Sequence, residues 1–506
     1  MSVTPTRQAP RLAVQAFWLT LSKFIAALLN IGLPIFLVRL MPQTEYGAYK
    51  EAFLFVGTAT SVATFGVGNS VFYFMPRYPE RGAQIALNIL LYNFLAGWIP
   101  LIVLVLYPGL LVSLFHTNDL APLATLLGVL VLFTLTSSLV QQIPTALQDV
   151  RYSTIFIVGT QLARAVLLAV AVILFRSIKS LVIASLLTQI FSIAVLFWYL
   201  HDKFPRFWTQ FSGPFFKEQL AYALPYGALG VLWVIQKDLD NYFVSFFSTP
   251  GEYAIYAVGW LDVPLISLIL ESVVSVLIVR VSRLQQENRK EDIRQVTAAA
   301  TNHLSAVQFP LFMFFLVGGH DMIVLLYTRT YERSAKIFLI TILLLPLSVL
   351  LLEPIIRAFK DLSNFLLAVR VGVFIALFCV LGPVIRHFGV MGAAITAVAA
   401  QVIERMFLAW KAARAVDLQL KDLVLYKDLF KVTCVTIAAG LVAYLLRNLL
   451  NPTLLIPRIA AVGTSLATIY LAGMWVFKLP GYETLSRDRI VSLVRTVLAG
   501  VSRGIA

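Results

Sequence analysis

Four basic side chains fall inside long apolar runs of this sequence, where a charge is costly unless something uses it. They are Lys23, Arg164, Lys237 and Arg370. An arginine can bind a phosphate through two parallel hydrogen bonds, whereas a lysine acts as a point charge. The four cations are therefore candidate ligands for an anionic group of a substrate. The alternatives are that each has a buried carboxylate partner, or that its side chain reaches the membrane surface.

The stretch WVIQKDLDNYFVSFF (233–247) carries most of the polar groups of one such run. Asp240 lies three residues after Lys237, on the same helical face, so these two side chains can form an ion pair. Asp238 points about 100° away, and therefore pairs with another helix, binds a cation or is protonated. Together with Glu271, deeper in the next run, Asp238 and Asp240 are candidate coupling-ion sites or charge partners for the cations.

Neutral polar residues in the same kind of run are candidate polar contacts for a substrate in a cavity. They are equally suited to bonding between helices, and they are Asn30, Asn69, Gln161 and Asn241. The two cysteines and five histidines are scattered without ligand-like spacing, and no nucleotide-binding or metalloprotease motif is present. The sequence therefore predicts no metal, no cofactor and no catalytic residues, and the protein is not expected to be an enzyme.

The elements that position these residues are predicted to be membrane-spanning helices. The chain of 506 residues is 59% hydrophobic and only 13% charged, whereas soluble domains are about 45–50% apolar and about 25% charged. With about 20 apolar residues for each crossing, we expect an all-α polytopic protein with fourteen spans. They centre on 14–40, 47–74, 84–107, 121–143, 152–175, 180–200, 219–247, 253–279, 299–319, 335–356, 363–385, 389–411, 429–448 and 455–477.

Lysine and arginine in the connections set the predicted orientation. Most of the 40 basic residues fall on one side when both termini are placed in the cytoplasm, with RLQQENRKEDIR (283–294) among the strongest contributors. The net charge of +15 therefore reflects topology and contact with anionic lipid headgroups, and a nucleic-acid partner is not expected. Residues 481–506 are predicted to form an amphipathic cytoplasmic tail.

Two sequence echoes at one spacing predict an internal repeat. Glu-Tyr-x-x-Tyr occurs at 45–49 and at 252–256, and proline precedes both copies. Ile143-Pro144 and Glu353-Pro354 each lead through a charged turn into the next apolar run. We expect a six-helix lobe at 1–200, a cytoplasmic linker at 201–218, a second six-helix lobe at 219–415 and two further helices at 416–480. Such paired bundles commonly hold a central cavity and work by alternating access.

The stretches RLMPQTEYGAYKEAFLFVGTATSVATFGVGNSVFYFMPR (39–77), YALPYGALGVLWVIQKDLDNYFVSFFSTPGEYAIYAVGW (222–260) and HFGVMGAAITAVAAQVIER (387–405) resemble bacterial polysaccharide-lipid flippases, O-antigen or lipid II flippase-like. These belong to the multidrug/oligosaccharidyl-lipid/polysaccharide exporter superfamily. The resemblance implies two lobes around a basic cavity in the bacterial inner membrane. It also implies transport of a polyprenyl-diphosphate-linked glycan to the outer leaflet for cell-surface polysaccharides such as lipopolysaccharide or exopolysaccharide. Glycan polymerases and glycosyltransferases are implied as partners, beside membrane lipids.

Two other functions compete with this one. A cation-coupled multidrug antiporter of the same superfamily would use acidic cavity residues, so four intramembrane cations argue against it. A membrane glycan polymerase or glycosyltransferase would need a large face outside the membrane, and the short connections do not provide one. The expected function is therefore a flippase.

Overall fold

The computed structural model describes residues 9–261 and 263–482, which are helical with no strand among them. The all-α prediction is therefore confirmed. The chain forms two compact units, divided between Ala254 and Ile255. The helices of the first unit are α1 (Ala9–Leu40), α2 (Gln43–Thr64), α3 (Val71–Arg77), α4 (Gly82–Leu106), α5 (Gly109–Phe115), α6 (Ala124–Ser137), α7 (Leu139–Ala146), α8 (Val150–Phe175), α9 (Ile178–Lys203) and α10 (Gly213–Phe247).

The division between the units falls within α11 (Pro250–Gly259). The second unit then contains α12 (Pro264–Gln286), α13 (Lys290–Tyr327), α14 (Glu332–Thr341), α15 (Leu344–Ser348), α16 (Leu352–Ala358), α17 (Lys360–Ala415), α18 (Lys427–Leu449) and α19 (Leu455–Val476). The predicted amphipathic tail lies outside the described residues, except for Gly481 and Tyr482.

By length and apolar composition, nine helices of the described residues can cross a membrane, or eleven if each of two bent pairs is one span. The protein is thus a multi-pass membrane protein, while the count of fourteen remains a prediction. One bend, of 56°, joins α2 to the segment Gly68–Arg77. It begins at Phe65 and Gly66, which both have positive φ. Helix α10 crosses so close to this bend that a Cβ on Gly227 would lie 1.9 Å from the Phe65 carbonyl oxygen.

Helix α17 is two helices that meet at Gly389. This residue has φ 62° and ψ −156°, a region that essentially only glycine occupies. Arg370 Nε lies 3.3 Å from Glu404 Oε1, although 34 residues of straight helix would separate them by about 50 Å. The chain therefore turns back at Gly389, in agreement with the two predicted spans at 363–385 and 389–411.

The two sequence echoes occupy matching structural positions. Glu45 lies in the first turn of α2 and Glu252 in the first turn of α11. The two turns lie side by side, because Gln43 Nε2 donates a hydrogen bond of 2.8 Å to the Gly251 carbonyl. The second echo is the succession of a short helix, a turn and a long helix, in α7–α8 and again in α16–α17. These matches agree with the spacing of the predicted repeat, which itself stays a prediction.

Helix α10 packs against α2 in the first unit, although the repeat assigns it to the second copy. The compact units are defined by packing, whereas the predicted lobes are defined by the sequence repeat. The boundaries of the predicted lobes therefore remain a prediction. The packing buries the apolar face of α10, including Leu239 and Val244. It also brings its polar segment 237–241 beside α2.

The basic stretch 283–294 is paired with carboxylates of its own unit. Arg289 binds Glu287 and Asp292, and Lys290 binds Asp417 at 2.8 Å. Hydrogen bonds from Arg283 and then Arg289 hold the pKa of the Glu287 carboxyl below its usual range. The basic side chains of this stretch are therefore largely paired with carboxylates of the protein, while the net charge of the chain stays +15.

Candidate functional site

Arg164 lies near the middle of α8, a helix long and apolar enough to cross a membrane. Its guanidinium lies beside the hydroxyl of Tyr49 on α2. The side chain is partly exposed, and no carboxylate of the described residues forms an ion pair with it. A guanidinium has five N–H donors, so Arg164 keeps donors available for an anionic ligand.

The polar segment of α10 makes contacts with α2 and with its own helix. Asp238 Oδ2 accepts a hydrogen bond of 3.2 Å from Thr58 Oγ1 on α2, which is the contact with another helix that the sequence analysis considered. Lys237 is exposed, and its Nζ lies 5.4 Å from the centre of the Trp233 ring. Asp240 is buried, at 6% exposure. Asp238 is thus hydrogen-bonded to α2 and Asp240 is buried, whereas the side chain of Lys237 is exposed.

Two further residues extend this polar cluster. Asn241 Oδ1 accepts a hydrogen bond from the Tyr253 hydroxyl at 3.5 Å. Glu51 on α2 is fully buried and accepts hydrogen bonds from Ser245 and Thr117. Sequence analysis missed Glu51 because the motif KEAF (50–53) reads as the last charged turn before an apolar run. The signal that could have found it is its position within α2, eight residues after the first residue of the helix.

Arg370 is the candidate cation of the second unit, and it has a carboxylate partner in Glu404. The side chains are 29% and 15% exposed. The pair joins the two arms of α17, so a structural role for Arg370 has direct support. The structure does not bring Arg370 together with any other predicted site residue of its own unit.

A second half-buried arginine of this unit was not among the predicted cations. Arg405 lines a cavity of about 220 Å³, with Trp260, Ser267 and Thr341 among its other walls. Its Nη1 donates to the Leu347 carbonyl oxygen at 2.8 Å. Arg405 lies within the predicted span 389–411, and the helix continues for ten residues after it.

The remaining candidates occupy less enclosed positions. Lys23, Asn30, Asn69 and Glu271 are exposed, and Gln161 is partly exposed. Lys23 and Asn30 lie on α1, which packs along α8. In the part of the chain that the structure describes, no three His, Cys, Asp or Glu side chains are grouped as metal ligands. The roles of these residues stay predictions.

The structural comparisons identify the fold. "Lipid II flippase MurJ, inward closed conformation" is 17% identical with a TM-score of 0.66, covering 93% of this chain and 99% of that chain. A MOP superfamily transporter from Pyrococcus furiosus is 13% identical with a TM-score of 0.57, covering 82% and 99%. A multidrug resistance MATE family transporter in an inward-facing conformation is 12% identical with a TM-score of 0.56, covering 78% and 94%. The chain therefore has the fold of the superfamily that its sequence resembles.

No curated protein sequence matches the chain. The family model for "Polysaccharide biosynthesis protein" matches residues 12–285, which is more than half of the chain. This span includes Arg164, the polar segment of α10 and the first copy of the repeat. The chain belongs to the polysaccharide biosynthesis protein family.

Proposed function

We propose that this protein moves a polyprenyl-diphosphate-linked oligosaccharide from the cytoplasmic to the outer leaflet of a bacterial plasma membrane. The family match and the fold support a lipid-linked glycan flippase or a related transporter. The observation that carries the finer proposal is Arg164, which lies in an apolar helix without a carboxylate partner among the described residues. A charge within a membrane-spanning helix is retained at a cost, and a diphosphate that passes through the membrane would use it.

In this proposal the protein binds and orients the headgroup and makes no covalent bond. Arg164 offers a flat pair of N–H groups to the diphosphate oxygens, with Tyr49 beside it to fix its position. Lys237 and Lys23, both exposed on helices of the same unit, add point charges. The glycan meets the amide groups of Asn30, Asn69, Gln161 and Asn241. Transport follows by alternating exposure of this site to the two sides of the membrane.

A drug exporter is the second candidate, because a multidrug transporter shares the fold. The buried carboxylates Glu51 and Asp240 are the observation in its favour. An enzyme that polymerises or transfers glycans has no such support. The fold neighbours are named as a flippase and as transporters. Glycosyltransferases and a polymerase would instead be partners that make the substrate and consume the product.

Reconstituted vesicles separate these functions. The full chain is placed in liposomes with a fluorescent polyprenyl-diphosphate oligosaccharide, and a membrane-impermeant quencher reports the fraction in each leaflet. We expect protein-dependent movement of this lipid and none of a cationic dye. Faster movement of the dye than of the lipid would favour the drug exporter. No movement of the lipid, with the protein folded, would contradict the proposal.

The orientation is a separate prediction, with both termini in the cytoplasm. Cys379 and Cys434 are both exposed, so they are first replaced by serine. An impermeant thiol reagent should then label Thr249→Cys in intact cells, and should label Asn288→Cys only after permeabilisation. Both positions are exposed in the structure, so burial does not confound the result. The reverse labelling pattern would contradict the predicted orientation and the assignment of each side of the site to a leaflet.

A further inference from the structure

Glu51 is a carboxylate with no exposed surface in an apolar helix. It lies eight residues after the first residue of α2, which corresponds to about 12 Å along the helix. The proposed binding of the headgroup does not use it. A charged group at this depth needs a compensating partner, because burial disfavours the ionised form.

The contacts of Glu51 are neutral. Its Oε2 accepts a hydrogen bond of 2.8 Å from Thr117 Oγ1, and its Oε1 lies 2.5 Å from Ser245 Oγ on α10. No lysine, arginine or histidine of the described residues forms an ion pair with it. A hydroxyl can also accept a hydrogen bond, so a protonated Glu51 can donate to Ser245 without any rearrangement. The site therefore accommodates the neutral acid at least as well as the carboxylate.

Acidic and hydroxyl groups of α10 and α11 lie in the same polar cluster as Glu51. Asp240 is buried, Asp238 lies on the same helix, and the hydroxyls of Tyr242 and Tyr253 belong to the same cluster. A second carboxylate in a low-dielectric region disfavours another negative charge. These neighbours therefore supply no positive charge that would hold Glu51 ionised.

The cations on the adjoining elements are directed elsewhere. Lys50 lies over the Tyr46 ring at 5.7 Å, and Arg164 lies beside Tyr49. Lys237 lies over Trp233. Other titratable groups on the elements around Glu51 are exposed or form hydrogen bonds with groups other than Glu51. They are Glu45, Tyr92, His116, Asp119, Lys179 and Glu252. Among the residues that the structure describes, no positive charge is therefore placed to hold Glu51 ionised.

We propose that Glu51 is a proton-binding site that couples transport to a proton gradient. The site holds its proton while α10 packs against α2. Any movement that separates Ser245 from Glu51 and admits water lets the carboxyl O–H bond break, with the electron pair staying on the carboxylate and the proton passing to water. The coupling part of this inference rests on the proposed transport function; the proton site itself does not.

Infrared spectroscopy of the purified full chain tests the site. A protonated buried carboxyl gives a C=O stretch that is distinct from that of a carboxylate and shifts in heavy water. We expect this band in the wild type at neutral pH and its loss in Glu51→Gln. Glu332→Gln is the matched control, since the Glu332 side chain is 61% exposed and should contribute no such band. A band that is unchanged in Glu51→Gln, or absent from the wild type, would overturn the proposal.

Stability against pH distinguishes a proton site from a structural carboxylate. Glutamine has the shape of the neutral acid, so Glu51→Gln should fold with the melting temperature of the wild type at neutral pH. The wild type should lose stability as the pH rises, because the buried acid must ionise, and the variant should lose less. Destabilisation of Glu51→Gln at neutral pH would show an ionised Glu51. If that variant does not fold, Ser245→Ala must shift the wild-type band, and an unshifted band would count against the site.

Vesicles with a pH gradient test the coupling. One proton can change the leaflet distribution of the lipid substrate by up to about tenfold for each pH unit. We expect the wild type to respond and Glu51→Gln to move the lipid without a response. If the infrared band is present but the lipid does not move, the proton site holds and the proposed function is wrong. If the lipid moves but the band is absent, the proposed function holds and the proton site is wrong. If Glu51→Gln responds to the gradient as the wild type does, Glu51 does not couple transport to protons.

Discussion

Replacement of Asp321 by asparagine is expected to cause the largest loss of folded protein of any single change considered. Asp321 is 1% exposed and accepts two hydrogen bonds from Arg447, at 2.7 Å from Nε and 2.9 Å from Nη2. Arg458 Nε lies 3.5 Å from the same carboxylate. Asparagine would leave two largely buried guanidinium groups without their anion. Breaking a buried pair in this way costs about 3–5 kcal/mol.

The yield and melting temperature in detergent measure this loss. Asp417→Asn is a matched control, because Asp417 also pairs with a cation, Lys290 at 2.8 Å, but is 63% exposed. Ion pairs at such positions contribute little, so the control should behave as the wild type. Equal effects of the two changes would mean that burial of the Asp321 cluster does not matter.

Removal of all the charges should restore the protein. We expect Asp321→Leu combined with Arg447→Met and Arg458→Met to fold better than Asp321→Asn, since apolar groups of similar volume commonly replace a buried ionic cluster without loss. Failure of the triple variant would show that the hydrogen-bond geometry is required as well as charge balance.

This cluster explains how the last two helices belong to the second unit. It binds α18 and α19 to one end of α13. Nearer the other end, Asn302 Nδ2 donates to the Leu425 carbonyl at 2.8 Å, and the Tyr470 hydroxyl donates to the Ala306 carbonyl at 2.8 Å. Between them Val432, Ala439 and Val462 form a buried core against α13. Helices α18 and α19 therefore pack along α13 and are tied to it at several points.

The helix starts that mark the predicted repeat could be read from sequence because their signals are local. A proline followed by Glu-Tyr starts a helix in each copy, and a short Pro-containing helix precedes the next long one. Helix number was harder to predict, because a bend such as the one at Phe65 divides a single apolar run into two helical segments. The apolar pattern shows that a run is long, while the backbone at one residue decides where it turns.

The partners of the buried charges could not be predicted, since they depend on contacts between distant parts of the chain. Arg447 is 126 residues from Asp321, and Ser245 is 194 residues from Glu51. Lys237 had a carboxylate three residues away, yet it lies over the ring of Trp233, four residues before it. Spacing along one helix limits the possible pairs, but packing of neighbouring helices selects among them.

The two arginines that the sequence grouped together are expected to behave differently. Arg164→Ala should leave the protein level unchanged and reduce glycan export by about 10- to 150-fold, which corresponds to one charge-assisted contact of about 1.5–3 kcal/mol. Arg164→Lys should restore export only in part, because lysine keeps the charge and loses the paired N–H groups. Tyr49→Phe is the control. It keeps Arg164 and removes only the hydroxyl beside it, so it should reduce export far less.

Arg370→Ala should instead lower the protein level, because it removes the guanidinium that lies 3.3 Å from the poorly exposed Glu404 carboxylate. The double variant Arg370→Ala with Glu404→Gln should recover much of that level, since it no longer contains the isolated negative charge. Export per folded molecule in this double variant then decides whether Arg370 also binds substrate. Near-normal export would make Arg370 a part of the scaffold that joins the arms of α17. A loss as large as that of Arg164→Ala would place both arginines on the diphosphate, and normal export by Arg164→Ala would remove Arg164 from it.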